Sequence, residues 1–129
     1  GQLELLDKYI IAKRKNSELY NEQLKVINGI EFISYEPEGC YSNKWFYTIY
    51  IDKEEYGLTR DELIEKLISQ NIQVRPVWKL NHQQMKYTGY QSYKIENAYE
   101  IYDSAINIPC SVNLKSHDIE YISEIIRQK

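Results

Sequence analysis

Seven consecutive residues, Trp45-Phe46-Tyr47-Thr48-Ile49-Tyr50-Ile51, are all aromatic or β-branched. Side chains of this kind fit a pleated, packed strand better than any other local structure. Both faces of such a strand are apolar or amphipathic, so it belongs at the centre of a sheet. Helical patterns lie on either side of it, and shorter strands lie beyond them. Residues 30–34 form a short strand before it, and residues 72–77 and 106–109 form two more after it. Pro76 confines the 72–77 strand to an edge or a strand end. Strands alternating with helices make the chain α/β.

The helices have sharper signals. Residues 3–27 carry Leu3, Leu6, Ile10, Tyr20, Leu24 and Ile27 on one stripe, interrupted by Lys13 and Ser17. A helix of that length reaches about 37 Å, more than a small domain needs, and its middle is polar nearly all round. It is expected to bridge between bodies, with Asn28-Gly29 closing it. Thr59 and Glu62 form a capping box for a helix ending near Asn71, with Leu63, Ile64, Leu67 and Ile68 buried. Residues 95–104 predict a helix with Ala98, Tyr99 and Tyr102 facing inward. A last helix begins with Ser116 as N-cap and buries Ile119, Ile122 and Ile126. Arg127 and Lys129 complement the negative end of its dipole. Residues 78–93 form a long polar loop broken at Gly89, and loops of that length in small domains are usually functional or mobile.

Length and charge narrow the function. A chain of 129 residues suits one domain and can bury a core without disulfides. Its formal net charge of -3 gives no support for nucleic-acid binding, and its apolar runs are far shorter than a membrane span. No signal peptide is evident. Cys40 and Cys110 lack metal-type spacing and read as a reduced, cytoplasmic pair. The helix-like sequence is already under way at Gly1, so an excised piece of a longer protein is expected. Tyrosine is in excess, 13 against 2 phenylalanines, and each ring brings a hydroxyl that needs a partner.

The richest chemistry lies in Arg75-Pro76-Val77-Trp78-Lys79-Leu80-Asn81-His82. It sets a guanidinium, an indole, an ammonium and an imidazole at one strand end. Arginine pairs in-plane with carboxylate or phosphate, and histidine titrates near neutrality. One reading is recognition of an anionic or sugar-nucleotide ligand. The other, commoner for such residue types, is a solvated loop whose Trp packs on the core. His82 has no second ligand at helical spacing, so no metal is expected. His117 reads as solvated, and Cys110 as a structural thiol without a nameable base. Glu36, Glu38, Glu54 and Glu55 read as a solvated face. No glycine-rich phosphate loop is present. No complete active site is visible.

The arrangement of blocks resembles the DegT/DnrJ-type sugar aminotransferases, pyridoxal-phosphate enzymes of the aspartate-aminotransferase fold. The resemblance rests on Gln2-Leu3-Glu4-x-Leu6-Asp7-Lys8-x-Ile10-x-x-Lys13-Arg14-Lys15 followed by Tyr20 and Leu24. Then come Arg60-Asp61-Glu62-Leu63-x-x-x-Leu67, Asn71-Ile72-Gln73-Val74-Arg75-Pro76 with His82, and Asn107-Ile108-Pro109 before Ser116 and Asp118. Leu80, where proline is common, and Cys110 depart from the pattern. The resemblance implies a long interdomain helix over residues 1–28. Residues 29–129 would form a C-terminal small α/β domain, its sheet small, mixed and mostly antiparallel, with helices on one side.

The same resemblance implies that the cofactor domain, with its cofactor-bearing lysine, lies upstream. This chain would then hold no catalytic residue, bind no pyridoxal phosphate and be inactive alone. Arg75 and His82 match the family's substrate-facing block, with Trp78 and Lys79 as loop neighbours. In the full-length enzyme the implied partners are a nucleotide-linked keto sugar, an amino donor such as glutamate, and a second subunit. The Trp78-containing block looks most like enzymes making 4-amino sugars for surface glycans, including the legionaminic-acid branch. Part of the tyrosine excess should then lie on surface that the large domain or second subunit covers. Two other classes stay open: a stand-alone binding or dimerisation module, and a small independent enzyme using Cys110 or His82.

Overall fold

The aromatic and β-branched run becomes β2, Tyr47–Ile51, in the computed structural model, which describes residues 1–128. Trp45 and Phe46 precede the strand. A short β1, Ile30–Phe32, pairs with one edge of β2, and β4, Ala105–Ile108, pairs with the other. The last strand, β3, is only Arg75–Pro76 and lies at the edge beside β4. Pro76 has no N–H to extend a ladder, which agrees with that edge position. The order is β1-β2-β4-β3, and every pairing is antiparallel. The sheet is therefore not mixed, and the central place expected for the aromatic strand is the one it occupies.

The first helix starts as a 3-10 turn, Gln2–Leu5, and continues as α1, Leu6–Leu24. Only its C-terminal half enters the core: Tyr20 and Leu24 are buried, whereas Leu3 and Leu6 are exposed. Gly29 closes the turn into β1 at φ +77°, and a Cβ there would lie 2.3 Å from the backbone nitrogen of Tyr56. Conformation and space both demand glycine at this position. Asp52 then caps the short α2, Lys53–Tyr56, by accepting from the Glu54 backbone N–H at 2.9 Å.

Thr59 and Glu62 form the expected capping box on α3, Arg60–Ser69. Leu63 and Leu67 are buried, but Ile68 is exposed, because it sits beyond the edge of that helix's contact stripe. The last helix, α5, is Ser116–Arg127 with Ile119, Ile122 and Ile126 buried. Its cap is Lys115, not Ser116: the Asp118 carboxylate accepts from the Lys115 backbone N–H at 2.8 Å. Arg127 Nη2 donates to the Gln23 carbonyl at 3.3 Å, tying α5 to α1. Lys129 lies outside the described residues.

The core sits between one face of the sheet and α1, α3 and α5. Tyr47, Ile49, Ile51, Ile106 and Ile108 project from the strands into it. The helix at residues 95–104 is α4, Glu96–Ser104, and it differs from expectation. None of its residues is fully buried, and Tyr99 remains 39% exposed. It meets the other face of the sheet through polar contacts, with the Tyr50 hydroxyl 3.2 Å from Glu100. Ala98 and Tyr102 are only half-buried, and Tyr99 meets an imidazole where a core residue would meet apolar groups.

The tyrosine excess divides the same way. Tyr20, Tyr47 and Tyr56 are buried, whereas Tyr35, Tyr41, Tyr90 and Tyr93 are among the most exposed large side chains. Cys40 and Cys110 are both free thiols.

Candidate functional site

The polar middle of α1 positions the segments that border the site. Lys13 Nζ donates to the carbonyls of Trp45 and Cys110, both at 2.7 Å, and of Lys44 at 3.3 Å. Burial holds this ammonium below its ordinary value, partly offset by Cys110. In return, the Tyr47 hydroxyl donates to the Lys13 carbonyl at 2.7 Å. One helical turn thus pins both the entry to β2 and the exit from β4.

A second group fastens the long 33–46 connection. Glu36 accepts from Arg14 at 3.1 and 3.2 Å and pairs with Lys44 at 2.7 Å. The hydrogen bonds from Lys44 and Arg14 pull the Glu36 carboxyl down to about 2. The Arg14 guanidinium also lies 3.7 Å from the centroid of the Tyr41 ring, a cation–π distance.

With those segments fixed, the sheet's outer face and its β3 edge present a distinct set of side chains. Alternation along β2 and β4 puts Thr48 and Asn107 on this face, and their side chains bond at 2.8 Å. Arg75 stands opposite Asn107 in the next strand, so the guanidinium joins the same row. Phe46 precedes them in the same alternation. Trp78 meets its ring edge-on at 4.9 Å, and Trp45 lies 4.8 Å from it. Edge-on and tilted aromatic pairs at this distance are mutually attractive.

A groove of about 970 Å³ opens beside this cluster. Arg75, Trp78, Phe46 and Asn107 border it together with Ile108 and Tyr121. Its lining holds one cation, Arg75, several flat rings, amide groups and, toward α5, the Asp118 carboxylate that accepts from the Lys115 backbone N–H. The Arg75 end suits an anionic part of a ligand and the rings a flat or sugar ring.

Of the four residues singled out by sequence, Arg75 and Trp78 come together on this groove. His82 does not line it. It sits on a 3-10 turn, Asn81–Gln83, where its Nε2 lies 2.7 Å from the Tyr99 hydroxyl with the rings edge-on. Lys79 is exposed nearby, and its carbonyl accepts from the Gln84 amide at 3.4 Å.

Phe46 and Asn107 join the site as well, and strand alternation alone puts both on the face opposite the core. Helical spacing points Tyr99 inward, but that pattern cannot tell an apolar neighbour from an imidazole.

The groove is lined by no lysine, so it does not fit pyridoxal phosphate attached through an amine of this chain. Among the described residues no cluster of three or more His, Cys, Asp or Glu is arranged to hold a metal ion. Among the described residues no helix is long and apolar enough to cross a membrane.

Known proteins share this architecture. The sequence profile of the DegT/DnrJ/EryC1/StrS aminotransferase family matches residues 1–127. The dTDP-4-amino-4,6-dideoxy-D-glucose transaminase of Shigella dysenteriae is 28% identical over 138 residues, covering 98% of this chain and 35% of that protein. EpsN of Bacillus subtilis (strain 168), which carries the name of a pyridoxal phosphate-dependent aminotransferase, is 26% identical over 130 residues, covering 98% and 32%.

Among solved structures, DesI with its TDP-sugar product superposes with a TM-score of 0.89 at 20% identity, over 97% of this chain and 32% of that one. The aminotransferase TlmJ from Streptoalloteichus hindustanus does so with a TM-score of 0.85 at 21% identity, over 98% and 33%. The chain therefore spans about a third of the length of these relatives. A profile match across nearly every residue, with the fold to go with it, means that the chain belongs to the DegT/DnrJ/EryC1/StrS aminotransferase family.

Proposed function

We propose that this chain is the small domain, led by an interdomain helix over residues 1–28, of a cytoplasmic sugar-nucleotide aminotransferase. The observation that carries the reading is the Arg75–Trp78 groove at the open edge of the sheet, in a chain of this family. In the longer protein the amino group would come from a donor such as glutamate. It would go to a nucleotide-linked keto sugar destined for surface glycans. Pyridoxal phosphate, when bound in the part beyond this chain, supplies the electron sink that such a transfer requires.

The role of this chain's own residues is recognition and enclosure. Arg75 offers a planar, permanently charged fork for a phosphate oxygen. Trp78 offers a flat apolar surface beside it, and Lys79 and His82 add donors along the loop that follows. Two exposed tryptophans, Trp45 at 66% and Trp78 at 67%, are costly to leave in water. Their exposure favours a face that is covered in the complete enzyme, by the larger domain, a second subunit or the substrate. The same exposure also supports the second reading, a binding or dimerisation module without chemistry.

The two readings separate on a simple experiment. Under the aminotransferase reading, the 129-residue chain leaves the absorbance of added pyridoxal phosphate unchanged, and the longer protein aminates a nucleotide keto sugar. A stoichiometric, borohydride-reducible adduct on one lysine of this chain would contradict it. So would a longer protein that binds no cofactor.

A further inference from the structure

The loop at residues 77–95 carries three of the four residues assigned to recognition, Trp78, Lys79 and His82, yet little holds it. Most of its side-chain hydrogen bonds are local, such as Gln84 to Asn81 and Thr88 to the Met85 carbonyl. The bond between His82 Nε2 and the Tyr99 hydroxyl, at 2.7 Å, is different because it crosses to another element. That element, α4, is itself anchored at two points. Glu100 meets the Tyr50 hydroxyl of β2, and Arg60 of α3 donates to the Tyr102 carbonyl while lying 5.2 Å from the Tyr102 ring. Tyr99 is therefore presented from a fixed platform to a residue on a loosely tethered loop.

We propose that Tyr99 is the positioning residue for His82, fixing both the orientation of its ring and the nitrogen that carries the proton. This rests on the reading of His82 as substrate-facing. A phenol O–H is a good donor and the unprotonated nitrogen of a neutral imidazole a good acceptor, so the pair is best satisfied with Tyr99 donating to Nε2. The proton of the neutral ring then sits on Nδ1, the reverse of the tautomer a free imidazole side chain favours. Nδ1–H becomes the one outward donor, on the ring edge away from Tyr99. When the ring is protonated, Nε2–H donates to the phenol oxygen and Nδ1–H still points outward. His82 is thus a donor in either charge state. That suits a phosphate oxygen of a nucleoside diphosphate sugar, which accepts and cannot donate.

The test has two readouts and uses Tyr99→Phe, a change that keeps the ring on a side chain already 39% exposed. The first is the 15N spectrum of ring-labelled His82 in the neutral state. The native chain is expected to show the proton on Nδ1, and Tyr99→Phe to move it to Nε2. A neutral native ring protonated on Nε2, or a tautomer unchanged by the substitution, overturns the proposal.

The second is steady-state kinetics of the longer protein. Tyr99→Phe is expected to raise KM for the nucleotide sugar about two- to tenfold, the worth of one neutral hydrogen bond, with kcat and the amino-donor KM unchanged. If His82→Ala raises that KM and Tyr99→Phe does not, positioning by Tyr99 is overturned while the role of His82 stands. If the tautomer shifts as expected but neither substitution moves KM, what fails is the assignment of His82 to substrate.

Discussion

The two faces of the sheet are built from the same strands and behave as different materials. On the inner face Tyr47, Ile49, Ile51, Ile106 and Ile108 meet the apolar stripes of α1, α3 and α5 and are at most 2% exposed. On the outer face the same strands present Thr48, Tyr50 and Asn107, and next to them stand Arg75, Phe46 and Trp78. Every strand residue added to the closed face contributes by leaving water. The open face contributes less to folding: its contacts are polar pairs such as Thr48 with Asn107 and edge-on ring contacts that leave Arg75 and Trp78 exposed. Alternation in a strand lets one short element serve both purposes, and the more exposed face is where a ligand or another domain belongs.

The contrast predicts a wide gap in stability between substitutions on the two faces. Leu67→Ala or Ile106→Ala, each at a fully buried site, should cost about 2–5 kcal/mol through lost transfer energy and an unfilled cavity. Trp78→Ala removes a larger ring but should cost about 1 kcal/mol or less, since it forfeits mainly the edge contact with Phe46. Urea unfolding of the three variants measures the gap. Equal losses would mean that the outer face is part of the core.

The three buried tyrosines sharpen the comparison within the closed face. The hydroxyls of Tyr47 and Tyr56 donate to the carbonyls of Lys13 and Ile126 at 2.7 and 2.6 Å. The Tyr20 hydroxyl is buried and has no hydrogen-bond partner among the described residues. Tyr47→Phe should therefore cost about 1 kcal/mol, whereas Tyr20→Phe should be neutral or stabilising. Thermal unfolding of the pair in parallel reads the difference in sign.

A third prediction concerns the edge between the faces, where Glu36 staples the 33–46 connection to α1. Its carboxyl is held at about 2, against an ordinary value of 4.5. A folded-state value below the unfolded one contributes stability that is complete above about 4.5. That stability fades as pH falls through the interval down to about 2. The difference in urea midpoint between the native chain and Glu36→Gln should accordingly be largest near neutrality and shrink between pH 4.5 and 2. A difference independent of pH would show that the carboxylate charge is not what holds the connection.

Much of the closed face was legible in the sequence because it is written as periodicity. The β2 run, the Thr59–Glu62 box and the Ile119-Ile122-Ile126 stripe each declare their structure locally. What escaped depends on partners distant in sequence. Ala98, Tyr99 and Tyr102 follow helical spacing as a core stripe would, but none is fully buried, and Tyr99 and Tyr102 meet His82 and Arg60. Lys13 and Ser17 looked like interruptions of the α1 stripe. In fact Lys13 gathers two loops through their carbonyls, and Ser17 is buried. The site was half legible for the same reason. Arg75 and Trp78 are three residues apart along an extended edge and share a groove, while the place of His82, outside that groove's lining, depends on a tyrosine 17 positions later.

The most direct test of the division between a closed, stabilising face and an open, recognising one is the kinetics of Arg75→Ala in the longer protein. KM for the nucleotide sugar should rise about 10- to 100-fold, the worth of hydrogen bonds to a charged group. Unfolding stability and kcat/KM for the amino donor should stay unchanged. An unaltered sugar KM, with stability or amino-donor kinetics lost instead, would contradict the assignment of this face to the substrate.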